Sequence, residues 1–313
     1  MIDPSVLDLL DQRLGSGRAR RRLEIESQQR SRVAGHRLKF LHRRTWFAHP
    51  HLIATVLWLA GLYTRGRLNA GAVTVRQNIV RSPALPVRFD GFRILHLSDL
   101  HVDGSEAAMQ RVISLIAECD YEICLLTGDF RGNISIGREP ALRGMSALAA
   151  QLKAPAIAVL GNHDPLEMVS GLEGMGIRVL LNECEVVLRG SERIFIAGID
   201  DQHFFRTGDI ARAGAKIPRG EFAILLSHTP EVFPQAEQAG FHLMLSGHTH
   251  GGQICLPGEI PVTLDARLPR RFGAGAWRYG KLQGYTSVGA GTSIAPVRFN
   301  CPPEITIHEL RRA

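Results

Sequence analysis

The sequence predicts a layered α/β protein, and three observations carry that prediction. Five short apolar runs, ILHL, ICLL, AIAVL, AILL and LMLS, each lead directly into polar residues. Runs of this length bounded by turns fit strands covered on both faces. Between the first two runs, Met109, Val112, Ile113 and Ile116 follow the i, i+3, i+4, i+7 spacing of one helix face, which gives a strand, helix, strand order. The size and composition agree: 313 residues, 45% hydrophobic and 21% charged, support a sizeable core in one large domain or two small ones. A further strand is expected at RIFIAGIDD, residues 193–201, without a ligand role.

Charge divides the chain unevenly. The formal net charge is +7, yet residues 1–90 hold 16 Lys/Arg against 6 Asp/Glu, leaving 21 against 24 for residues 91–313. The basic excess belongs to the first third, so the remainder does not read as a nucleic-acid binder. Five cysteines, Cys119, Cys124, Cys184, Cys255 and Cys301, form no CxxC pair and read as buried thiols rather than a disulfide framework.

Ten basic residues lie between Arg18 and Arg44, with Glu24 and Glu26 the acids among them. Such a run usually forms a solvated face or tail. Its neighbour, residues 51–63, has thirteen residues without formal charge, preceded by Trp46 and Phe47 and followed by Arg65 and Arg67. A helix needs about 20 apolar residues to cross a bilayer, so an interfacial or re-entrant segment is the expectation, with a helix packed on the α/β domain as its alternative. HRRTWF loosely resembles a twin-arginine export signal, but it lies more than forty residues into the chain and no cleavage site follows. The expected organisation is a basic arm (1–45), an apolar membrane-interacting segment (46–67), a linker (68–90) and the layered α/β domain (91–313).

The strand ends carry the chemistry. Asp99 and His101 follow the first run, Asp129 the second, Asn162, His163 and Asp164 the third, His228 the fourth, and His248 and His250 the fifth. Any one of them has a structural explanation, since a strand-end Asp caps a turn and a His finds a carbonyl. Five at equivalent places point to one crevice at the carboxyl ends of a sheet. Carboxylate, amide and imidazole donors without thiolate suit divalent ions such as Mn, Fe or Zn better than a structural zinc site. Seven candidate ligands exceed the needs of one tetrahedral ion, so two metals sharing a carboxylate, about 3.5–4 Å apart, is the economical reading. Two carboxylates and a hydroxide against two divalent ions leave about one positive charge, which draws an anionic phosphate.

Other residues are assigned differently. His96 lies within a strand and reads as core, and Asp200 and Asp201 read as turn chemistry. His36, His42, His49, His51, His203, His242 and His308 receive no chemistry. Gly247, Gly251 and Gly252 are expected to let the backbone approach the metals and substrate.

DLH, GD, GNHD, the His of LLSH, and GHTH occur in the order found in the calcineurin-like metallophosphoesterase superfamily, which residues 85–310 resemble. LPVRFDGFRILHLSDLH, GHTHGGQICLP and VGAGTSIAPVRFNCPPEITIHEL resemble its bacterial branch of membrane-associated phosphohydrolases, phosphodiesterases and a UDP-2,3-diacylglucosamine hydrolase. The resemblance implies a four-layered fold, two mixed sheets flanked by helices. It implies that Asp99, His101 and His250 bind one metal, that Asn162, His228 and His248 bind the other, and that Asp129 bridges them. It further implies His163 as the acid or transition-state stabiliser, with Asp164 fixing its ring.

The expected activity is hydrolysis of a phosphoester or pyrophosphate bond, on a lipid-linked or membrane-located substrate such as UDP-2,3-diacylglucosamine, with small soluble substrates as the alternative. A non-catalytic scaffold of the same fold would be expected to have lost ligands, and none is lost. The expected partners are a phosphate-containing substrate and a membrane surface, with no nucleic acid. Eleven Lys/Arg before the apolar stretch predict a cytoplasmic N-terminus, hence the cytoplasmic face of a bacterial inner membrane for an interfacial segment and the outside for a spanning one.

Overall fold

The computed structural model describes residues 4–35, 50–293 and 295–313. Helices α1 (Pro4–Leu14), α2 (Arg18–Gly35), α3 (Pro50–Leu59) and α4 (Tyr63–Gly71) precede strand β1 (Thr74–Ser82). Then come β2 (Arg93–Leu97), α5 (Glu106–Glu118), β3 (Ile123–Leu126), α6 (Glu139–Ala149), β4 (Ala156–Ala158), α7 (Val169–Gly174) and β5 (Ile177–Val179). The second half runs β6 (Glu183–Arg189), β7 (Glu192–Gly198), α8 (Ile210–Gly214), β8 (Ala223–Leu226), α9 (Phe233–Gln238) and β9 (Leu243–Ser246). A small hairpin, β10 (Cys255–Leu256) and β11 (Ile260–Pro261), is followed by β12 (Gly275–Tyr279), β13 (Leu282–Thr286) and β14 (Glu304–Arg312).

These strands form two six-stranded sheets, ordered β1-β14-β2-β3-β4-β5 and β12-β13-β9-β8-β7-β6. Both are mixed: β2 through β5 pair in parallel and β14 antiparallel to β2, while β7, β8, β9 and β13 are parallel with antiparallel edges β6 and β12. The strand period of two explains why the apolar runs are continuous. In β3, Ile123 and Leu125 pack between the sheets against residues such as Ile196 and Leu245, whereas Cys124 and Leu126 face the helix side with Val112 and Met145. Phe233 and Ala236 of α9 cover the far side of the second sheet. The result is the four-layered α/β sandwich with two mixed sheets flanked by helices.

Helix α5 starts where Ser105 accepts the Ala108 N–H, with Glu106 in its first turn. Its buried face is Ala108, Met109, Val112, Leu115 and Ile116, so Ile113 lies at the margin of the face rather than within it.

The N-terminal third differs from the expected boundaries. Residues 68–90 are not a free linker: β1 pairs with β14 along its whole length, Thr74 with Glu304 through to Ser82 with Arg312. The strand is polar and mostly accessible, as an edge strand is, so it carries no apolar run. The basic arm is not a solvated tail over α1 and α2. Leu10, Leu14 and Ala19 join the helix-side core, and Arg22 is fully buried.

The apolar segment breaks at Gly61, where φ is +68°, into α3 and α4. Helix α4 packs closely, because a Cβ at Gly66 would sit 2.7 Å from the Phe299 ring. Helix α3 instead exposes Leu52, Val56, Trp58 and Leu59. Among the described residues, no helix is long and apolar enough to cross a membrane. Arg37, Lys39 and the whole HRRTWF motif, residues 42–47, lie outside the described residues.

Candidate metal centre

The carboxyl ends of β2, β3, β4, β8 and β9 open on one side of the molecule, and the loops that follow them bring the expected residues together. Three groups of donor atoms each lie within 4.8 Å: Asp99, His101 and His250; His101, Asp129 and His163; and Asp129, His228 and His248. Asp129 is common to two groups and His101 links the remaining one. Asn162 completes the last group, its Oδ1 lying 2.9 Å from His228 Nε2 and 3.0 Å from His248 Nδ1.

Asp129 stands at the centre. Its Oδ1 accepts the His163 N–H at 2.9 Å, and its Oδ2 faces three imidazoles, His228 Nε2 at 3.4 Å and His101 Nε2 and His163 Nε2 each at 3.9 Å. Asp99 Oδ1 lies 3.4 Å from His250 Nε2, and its carboxylate accepts bonds from Ser98 Oγ and the His248 N–H. His101 Nδ1 contacts the Arg131 carbonyl at 3.1 Å and His228 Nδ1 the Thr127 carbonyl at 2.8 Å. Those carbonyls can only accept, so each ring donates from Nδ1 and turns Nε2 toward the cluster.

The backbone is bent to make this convergence. Asp99, His101, Asp129, His248 and His250 all have φ between +42° and +70°, a region uncommon outside glycine and concentrated at functional sites. Two glycines are required by close approach: a Cβ at Gly161 would strike the Asp129 carboxylate, and one at Gly247 would strike Ser98 and Asp99. Gly251 and Gly252, by contrast, face Val288, Cys301 and Pro261, so they shape the adjoining turn and not the ligand cluster.

Electrostatics favour neutral imidazoles around one charged pair. Burial lowers His101 and His248 to about 4 and carries His250 well below its ordinary value. His228 behaves oppositely: burial disfavours its charge, but Asp129 overrides this and raises it to about 10. Burial likewise works against the Asp129 anion, and the imidazoles of His228 and His163 hold it well below the usual carboxylate range. Burial pushes Asp99 up to about 6.

Asp164 does not fix the His163 ring. The ring contacts the Gly132 carbonyl through Nδ1 at 3.0 Å, while Asp164 accepts the N–H groups of Gly161 and Arg131 at 2.9 and 3.1 Å. A short carboxylate reaches nearby backbone amides more readily than the ring beside it in sequence. Sequence reasoning missed Arg131, whose Nε donates to the His163 carbonyl at 2.8 Å and whose own carbonyl holds His101. Its place directly after Asp129 and Phe130 was the available signal. His203 was also passed over; its ring lies 4.4 Å from that of His248.

A cavity of about 190 Å³ adjoins His248 and His250, with Ile53, Ile254, Val262 and Ala295 among its walls. Oxygen and nitrogen donors, no thiolate in any of the three groups, and imidazole nitrogens 3.1 Å apart between His101 and His250 fit divalent metal ions. The fold and this donor set define a metal-dependent phosphoester hydrolase.

Comparison with known proteins fixes the family. The sequence profile of calcineurin-like phosphoesterases matches residues 92–252. The uncharacterized metallophosphoesterase YkuE of Bacillus subtilis (strain 168) is 28% identical, covering 83% of this chain and 93% of that protein. Phosphodiesterase YaeI of Escherichia coli (strain K12) is 31% identical over 70% of this chain and 82% of its own. A Danio rerio protein named a transmembrane protein with metallophosphoesterase domain is 30% identical over 73% of this chain and 55% of its own length. The chain belongs to the calcineurin-like phosphoesterase family, whose members use divalent metals.

Proposed function

We propose that the chain hydrolyses phosphoester or pyrophosphate bonds at a dinuclear centre. Asp99, His101 and His250 would hold one ion, Asn162, His228 and His248 the other, and Asp129 would be shared between them. The observation that carries this reading is Asp129 Oδ2, which faces His228 from one group and His101 from the other. Two divalent ions, with Mn, Fe or Zn the best match to the donors, supply when bound the Lewis acidity that makes water nucleophilic at neutral pH and that neutralises phosphate charge.

The chain's own residues do the rest. His163 is the most accessible imidazole of the cluster, its side chain 23% exposed, and its Nδ1 is engaged by Gly132. Nε2 is therefore the atom that faces substrate, and the ring protonated at both nitrogens gives the leaving oxygen its proton from there. Asp164 keeps that loop in place through Gly161 and Arg131.

The test is Asp129→Asn assayed on a phosphodiester with defined metals. A loss above about 100-fold is expected, since removal of a supporting partner alone costs 10–100-fold. Unchanged turnover would sink the shared-carboxylate reading. Metal-loaded wild-type protein inactive on monoesters, diesters and pyrophosphates would instead restore the non-catalytic scaffold.

A lipid-linked or membrane-located substrate, such as UDP-2,3-diacylglucosamine, is the finer reading, and the apolar-walled cavity beside His248 and His250 favours it over small soluble esters. Ile53 of that cavity belongs to α3, whose outer face is apolar. Residues 27–89 contain no Asp or Glu, so this face suits an anionic membrane surface, with the cytoplasmic face of the inner membrane the favoured location. Release of uridine monophosphate from the lipid nucleotide supports the reading; hydrolysis of simple diesters with the lipid nucleotide left intact removes it.

A further inference from the structure

One of two fully buried arginines among the described residues belongs to the basic N-terminal run, and it reaches the loop that carries Asn162 and His163. Arg22 is fully buried on α2. Its Nη2 donates to the Asp164 carbonyl at 2.6 Å, its Nη1 pairs with Asp200, and its Nε donates to Glu26 Oε1 at 3.1 Å. Its guanidinium also stacks over the Phe205 ring, 4.1 Å from the centroid. Glu26 Oε1 accepts the Leu166 N–H at 3.0 Å, so α2 grips the loop at two points, Asp164 and Leu166.

The other end of this network is equally fixed. Thr207 Oγ1 donates to Asp200 Oδ2 at 2.5 Å, and Asn182 accepts the Asp200 N–H while donating to the carbonyls of Leu14 and Thr207. Burial disfavours the charge on Arg22, but Asp200 and Glu26 outweigh it and hold the guanidinium above its ordinary value. A planar fork with five donors can serve two carboxylates and a carbonyl together, which a lysine amine cannot do in the same geometry.

We infer that Arg22 is a positioning residue for the hydrolytic site: through the Asp164 carbonyl it sets the loop that presents Asn162 to the second metal and His163 to the substrate. The inference rests on the roles given to those two residues above. It makes α2 part of the catalytic apparatus, although its nearest link to the metal ligands runs through one backbone oxygen. Misplacing a reacting group by about 1 Å can cost 100-fold in rate, so loss of this link falls on kcat more than on KM.

The experiment compares Arg22→Ala, Arg22→Lys and the exposed control Arg20→Ala in the full chain. Each is measured by melting, by kcat and KM on bis-p-nitrophenyl phosphate with saturating Mn²⁺, and by hydrogen exchange. Arg22→Lys, which keeps a charge against Asp200 and Glu26, is expected to stay folded yet lose about 10-fold in kcat with KM changed less than about twofold. Exchange should accelerate in peptides spanning 161–168 and stay unchanged in 223–226, with Arg22→Ala showing the same pattern more strongly. Arg20→Ala should match wild type. Wild-type kcat in a folded Arg22→Lys, or exchange raised equally across both sheets, overturns the inference. If wild type hydrolyses nothing, the function reading fails, and the exchange pattern still decides whether Arg22 holds the loop.

Discussion

Helices α1–α2 and helix α3 come from the same basic third of the chain, yet they meet solvent in opposite ways. The charged pair is built in: Arg22 and Leu14 are fully buried, and Arg13 pairs with Glu173 and Glu183. The apolar helix α3 is left outside, with Trp58 70% and Leu59 73% exposed. The basic run reads in sequence as a solvated face or tail, so it is the charged pair that departs from the sequence expectation. A charge is buried where partners are arranged for it, and an apolar face is left out where no layer of the sandwich covers it.

The largest expected effect concerns α1–α2. Removing one partner from a buried ionic cluster costs about 3–5 kcal/mol, against a net stability of about 5–15 kcal/mol for a domain. A chain beginning at residue 50 loses Arg22 opposite Asp200 and also strips Leu10, Leu14 and Ala19 from the helix-side core. It should be insoluble or lack a cooperative transition in calorimetry. A shortened chain that melts at the wild-type temperature would make these helices an appendage and dissolve the contrast.

An intermediate effect is expected on α3, and on a different property. Trp58→Ser with Leu59→Ser should leave the melting temperature and soluble-diester turnover near wild type, since surface changes usually stay within about 0.5 kcal/mol. Flotation with vesicles of anionic phospholipid should weaken roughly tenfold or more, because burying one such side chain is worth about 1.5–3 kcal/mol. A melting temperature lowered by several degrees would show α3 to be a packed helix, and unchanged flotation would remove it as a membrane contact.

The same contrast explains what the sequence made legible. Asp99, Asp129, His228 and the GHTH histidines were readable because a strand end puts a ligand next to an unmistakable apolar run. His96 was readable as core for the same reason, and it is buried between His308 and Thr127. β1 was not legible, because an edge strand needs only one partner and its sequence TVRQNIVRS buries little. Arg22 was not legible either, since its partner Asp200 lies 178 residues away and a run of arginines carries no mark of the one turned inward. Asp164 was misassigned in its partner, because proximity in sequence to His163 says nothing about whether the carboxylate turns to a ring or to backbone amides.

The smallest effect tests the loop that joins the buried region to the metal centre. Asp200 and Phe205 of this loop hold Arg22, while His203, on its other side, lies against His248 and bonds Glu231 at 2.8 Å. The bond to His203 lowers Glu231 from 4.5 to about 2, and the same bond raises His203 above 6.5. Glu231's contribution is thus present above pH 4.5 and lost as pH falls toward 2; His203's is full below pH 6.5 and lost as pH rises through its raised value. The pair stabilises most between these limits. Both side chains are about a quarter exposed, so solvent screening holds the gain to about 1 kcal/mol or less. The melting-temperature gap between wild type and Glu231→Gln should be widest near the middle of that window and narrow on both sides. Glutamine can keep the bond from the Arg267 N–H, which isolates the histidine pair. A gap that stays flat across the window would mean that the loop is held by Arg22 and by Asp201, whose carboxylate accepts the N–H groups of Phe204 and Phe205, leaving its metal-facing side without a charge of its own.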